Sequence, residues 1–97
     1  MPDPAFRAEV KQAIEIYENT IGRAAARTRR MIEQLGEIEA LSRLMVSAEL
    51  QQGFKVLRDE KQLDKSFEAL VIRFQDLFRP DVVEAAQWRL ANPYKLF

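Results

Sequence analysis

Apolar side chains recur every three or four residues along almost the whole chain. Phe6, Val10, Ala13 or Ile14, Tyr17, Ile21, Ala24, Thr28, Met31 or Ile32 and Leu35 keep that step, the spacing of a helix with one buried side. Asp3 suits an N-cap ahead of Pro4, since a first helical turn accepts proline. Gly36 suits the stop. The pattern predicts one amphipathic helix of up to about thirty residues. Asn19 and Gly22 are poor interior choices, glycine costing roughly 1 kcal/mol against alanine, so a kink or break there fits the same pattern.

The step continues beyond Gly36. Ile38, Leu41, Leu44 and Met45 predict a second helix over 37–45, and Leu50, Phe54 and Leu57 a third, capped by Ser47. Gly53 lies inside it, and the charged end, RDEKQ, belongs in water. Asp64 reads as the cap of a fourth helix carrying Phe67, Leu70, Val71 and Phe74, with the spacing running on to Leu77 and Phe78. Pro80 and Asp81 open a fifth, with Val82 or Val83, Ala86, Trp88 or Arg89, and Leu90 inward. Asn92-Pro93 ends it. No alternating strand pattern, repeat or low-complexity stretch interrupts this. The expected architecture is all-α: a single domain over 1–97, a small bundle of four or five helices with a long N-terminal amphipathic helix.

Composition narrows the chemistry. The 97 residues contain no cysteine and no histidine, so disulfides, thiolate zinc sites and the commonest general base near neutral pH are unavailable. Ser42, Ser47 and Ser66 have no histidine to activate them. Glu37 and Glu39 are two apart and do not share a helix face. Asp59-Glu60-Lys61 echoes the acidic cluster of metal-dependent nucleases, but those sites sit on strands. No glycine-rich phosphate loop is present. The chain reads as non-enzymatic, without cofactor or metal. The longest apolar run, Ala69 to Ile72, is far below the roughly 20 residues of a membrane span, and no signal-peptide core opens the chain. A soluble cytosolic protein is expected.

Charge then points to partners. Fifteen basic residues balance fifteen acidic ones, whereas non-specific nucleic-acid binders usually carry a positive excess. The balance is uneven locally. Residues 1–22 hold two basic and four acidic residues, net −2, and residues 23–43 hold five basic and three acidic, net +2. Within RAAARTRR, Arg23, Arg27 and Arg30 fall within roughly 60° of one another on a helix, and Arg29 points elsewhere. This stripe reads either as a solvated face pairing with neighbouring acids or as a contact for phosphate or an acidic partner. Antiparallel pairing of two long helices would set their opposite charges side by side. Phe54, Phe67, Phe74 and Phe78 read as core. Trp88 lies in the last turns of the fifth helix and Tyr94 and Phe97 beyond Pro93, where the tail YKLF either folds back or offers an apolar contact to a partner.

Gly53-Phe54, Leu57, Leu63-Asp64, Glu68-Ala69-Leu70-Val71, Leu77-Phe78 and Arg89-Leu90 together resemble a family of small uncharacterised bacterial all-helical proteins. The resemblance covers roughly the C-terminal half. That family often follows Leu-Asp with an apolar residue, where Lys65 stands here. It implies a fold and no site residues. The functional expectation is a non-catalytic helical protein-interaction module, self-associating, that acts as an adaptor, regulator or inhibitor of a larger protein. The alternative is a nucleic-acid-binding regulator using Arg23, Arg27 and Arg30.

Overall fold

The predicted long helix is two helices. In the computed structural model, which describes residues 3–46 and 48–94 (side chains of 48–53 excepted), α1 covers Pro4–Ile21 and α2 covers Ala26–Leu35. Asp3 caps α1 as expected, its carboxylate accepting from the Ala5 amide at 2.8 Å. Gly22 ends α1 at φ 73°, in the left-handed region where a side chain is strained. Apolar periodicity passes through this point unbroken, so it cannot report the break. The backbone preference of one glycine decides it.

Beyond α2 only Gly36 intervenes before α3, Glu37–Met45. Its φ of 84° and ψ of 163° belong to a region essentially reserved for glycine. Helix α4 covers Ala48–Asp59, and the proposed cap Ser47 lies outside the described residues. A 3-10 turn at Leu63–Lys65 precedes α5, Phe67–Arg73. Asp64 therefore stands inside that turn. Ser66 caps α5 instead, its Oγ accepting from the Ala69 amide at 3.2 Å and donating to the Leu63 carbonyl at 2.6 Å. The fourth predicted helix also stops early, at Arg73, before a second 3-10 turn at Gln75–Leu77. Helix α6 covers Pro80–Ala91. The described residues hold six α-helices and no strand. None of these helices is long and apolar enough to cross a membrane.

Helices α1, α3, α5 and α6 enclose the core. Phe6 and Val10 meet Leu41 and Met45, Leu70 and Val71, and Val82 and Ala86. Burying each such side chain contributes about 1.5–3 kcal/mol. The expected aromatic cluster is centred on Phe6, which meets Phe74 and Phe78 edge-on at 5.2 and 5.7 Å between ring centres. Helix α2 packs mainly on α3 and has no fully buried residue.

Candidate binding site at the helix break

The amides of Gly22 and Arg23 both donate to the Glu18 carbonyl, at 2.9 and 3.3 Å. The Glu18 carboxylate then reaches across the break. Its Oε2 accepts from the Ala25 amide and from Arg29 Nε, each at 2.7 Å, and its Oε1 accepts from Arg29 Nη2 at 2.6 Å. Such two-pronged, charge-assisted bonding fixes orientation as well as distance. These bonds, Arg29's foremost and the Ala25 amide's next, hold the Glu18 carboxyl down at about 2. One side chain thereby sets the angle between α1 and α2.

Behind this staple lies a cavity of about 500 Å³. Tyr17 and Ile21 form its α1 wall, while buried Leu44, Phe54, Leu57 and Phe67 line its interior. Arg23, Ala24 and Arg27, all exposed, form its rim. Phe54 and Leu57 are buried as expected, yet they stand apart from the contiguous core of α1, α3, α5 and α6. They wall the cavity.

Glu68 also faces the cavity, and it is the most deeply buried charge among the described residues. Its Oε2 accepts from Arg89 Nη1 at 3.0 Å, with side chains 1% and 7% exposed. Burial pushes the Glu68 carboxyl upward against the pull of Arg89. Neither residue stood out as a site in the sequence. The signal was present: Arg89 competed with Trp88 for the inward position, and Glu68 sits one turn before Val71 on an inner face.

The arginine stripe is rearranged. Arg23 lies in the connection, and Arg27 and Arg30 stay one turn apart on α2. Arg23 and Arg27 meet at the cavity rim, whereas Arg30 does not reach it. Arg29, outside the stripe, is the one locked to a carboxylate on α1. Among the described residues, neither Arg23 nor Arg30 forms an ion pair. Trp88 is 48% exposed on α6, and Phe97 lies outside the described residues. Tyr94 is 71% exposed, but the Arg58 guanidinium stacks on its ring at 4.7 Å and Arg58 Nη1 donates to the Pro93 carbonyl at 3.1 Å. The chain thus folds back onto α4 as far as Tyr94.

A second depression, an open groove of about 1000 Å³, runs between α1 and α2. Val10, Ile14 and Ile32 lie along it, with Arg7 and Lys11 on the α1 side and Arg29, Glu33 and Glu37 opposite. Among the described residues no three carboxylates gather into a metal-binding group. The Ser42 hydroxyl donates to the Ile38 carbonyl at 2.7 Å, and that of Ser66 is occupied in capping α5.

No family model, curated protein or solved structure matches this chain. None of these comparisons bears on the resemblance of the C-terminal half to small bacterial proteins.

Proposed function

We propose that this chain is a non-catalytic helical protein-interaction module that self-associates, a second copy docking along the groove between α1 and α2. The observation that carries this is the incomplete cover of α2. Its apolar side rests on α3, Met31 and Ile32 are only partly buried, and Leu35 is 37% exposed. An amphipathic helix gains stability when its apolar stripe is covered. Arg7 and Glu37 pair with each other across the groove and Arg29 pairs with Glu18, which leaves Lys11 on α1 and Glu33 on α2 as opposite charges that a two-fold partner could match. The wider division into an acidic α1 and a basic α2 contributes less, because Glu9 and Glu18 already pair within the chain with Arg73 and Arg29.

Ala8 tests this without disturbing the core, since it is exposed on α1 and borders the groove. Light scattering should give a mass above the 11.3 kDa of one chain, and Ala8→Glu should return it to that mass with an unchanged helical spectrum. A monomeric native protein at high micromolar concentration would reject the proposal. The nucleic-acid reading keeps one supporting observation, that Arg23 and Arg30 form no ion pair among the described residues. If it holds, log affinity for duplex DNA falls by about 0.9 per neutralised phosphate for each decade of salt, and Arg23→Ala with Arg30→Ala flattens that slope.

A further inference from the structure

We propose that the cavity at the helix break is a binding site for a small amphipathic carboxylate, its anionic head at Arg23 and its apolar body against Leu44, Phe54, Leu57 and Phe67. This site is separate from the α1–α2 groove and does not depend on self-association.

Size and lining come first. At about 500 Å³ the cavity falls within the range of small-molecule pockets, roughly 300–1,000 Å³. Protein interiors are otherwise packed to the density of organic crystals. Apolar side chains that face an open mouth forfeit part of the contacts a filled interior would give them. A 97-residue chain has little core with which to offset that cost. Four buried apolar side chains nonetheless line this space, two of them, Phe54 and Leu57, lying outside the cluster of α1, α3, α5 and α6. An apolar ligand body would supply the missing contacts.

Charge selects the head group. Arg23 and Arg27 lie at the rim, and Arg23 makes no ion pair among the described residues. Among the described residues, the only acid in the lining is Glu68, which Arg89 neutralises from within the fold. Arg23 thus sets an unpaired positive charge, among the described residues, at the mouth of an apolar interior. Arginine's planar fork matches a carboxylate in two-pronged geometry. A cationic amphiphile would meet repulsion at the same mouth, and a neutral one would lose the head-group contact.

The geometry also supplies a blocking variant. Ala24 is exposed at the rim, so Ala24→Trp closes the mouth while leaving the core side chains in place. Decanoate, decanol and decyltrimethylammonium serve as probes, each below its micelle concentration, in titrations followed by amide chemical shifts. Decanoate should bind most tightly and decyltrimethylammonium most weakly, with shifts concentrated at 21–28, 54–57 and 67–68. Arg23→Glu should weaken decanoate about tenfold, a loss of about 1.4 kcal/mol, and leave decanol nearly unchanged. Ala24→Trp should abolish binding of both, and Arg30→Glu should alter neither. Circular dichroism confirms that each variant is folded. Decanol binding as tightly as decanoate, insensitivity to Arg23→Glu, or shifts lying elsewhere would each overturn the proposal, as would no binding below millimolar decanoate. Light scattering on the same samples reports self-association separately, so failure of one proposal is not mistaken for failure of the other.

Discussion

Glu18 bonds across the break between α1 and α2, and its chemistry makes that role pH-dependent. Its carboxyl titrates at about 2 in the fold against 4.5 ordinarily, because Arg29 and the Ala25 amide bind the charged form. A depressed carboxyl stabilises the fold fully above its unfolded value and loses that contribution as pH falls toward its folded one. Denaturation measured across pH should show wild type losing stability between 4.5 and 2 at this residue's expense. Glu18→Gln should be less stable than wild type at neutral pH, with the gap closing over that same interval. A constant gap would mean that Glu18 acts through packing rather than charge. The Glu68–Arg89 pair is governed by burial instead. Removing one partner of a buried pair typically costs about 3–5 kcal/mol, whereas replacing both with apolar groups of similar volume is often neutral or stabilising. Glu68→Leu should accordingly destabilise by about 3 kcal/mol, and adding Arg89→Met should recover most of the loss in a double-mutant cycle. Independent, additive losses would show that the two side chains are not energetically coupled.

At the scale of elements, what the sequence revealed and what it concealed have distinct physical origins. Helix existence was legible because burial of one face imposes a three-to-four step, and Phe6, Leu41, Leu70 and Val82 all lie in the core that this step implies. Boundaries were less legible because they depend on single backbone groups. Gly22 could be tolerated inside a helix at roughly 1 kcal/mol, or could end one in the left-handed region, and in the fold it takes the second course with the bonds gathered by Glu18 closing the break. Ser66 replaces Asp64 as the cap of α5 for a similar reason. Both are good capping residues, and the 3-10 turn at Leu63–Lys65 places Ser66 against the free amide of Ala69. The cavity was invisible because its walls come from five helices, α1 to α5, and the connection at 22–25. The expectation that Phe54 and Phe67 are buried was right, and their spacing carries no record of empty space between them. The arginines were found, but their grouping assumed a continuous helix.

For the whole molecule, charge balance conceals an internal wiring that composition cannot show. Arg73 of α5 reaches Glu9 of α1 at 2.9 Å, Arg29 of α2 reaches Glu18, and Arg7 of α1 lies 3.5 Å from Glu37 of α3. The exposed members of these pairs contribute little individually, typically about 0–1 kcal/mol. Their effect is to orient α1 against three other helices, while the apolar core supplies the main driving force. Assembly is expected to depend more on uncovered apolar surface than on charge. Added salt should therefore leave a dimer formed along the α1–α2 groove nearly intact, and its mass by light scattering should change little between low and high ionic strength. Dissociation by salt alone would place the contact on charged surfaces instead.

The connection at 22–25 also acts as a hinge between two topologies. Apolar periodicity already permits α1 and α2 to run as one rod, and Gly22 together with the Glu18 staple keeps them folded apart. Replacing Gly22 with alanine penalises the left-handed turn by roughly 1–2 kcal/mol and favours the continuous helix by about 1 kcal/mol. A straightened rod carries α1 away from its own core, where Phe6, Val10 and Ile14 are buried. The only equivalent core belongs to another copy. Gly22→Ala is therefore expected to exchange α1 between chains, giving an intertwined dimer that survives dilution and separates only on unfolding. Size-exclusion chromatography after refolding at high and low concentration would reveal it, because a swapped dimer keeps, after dilution, the association state set at the concentration of refolding.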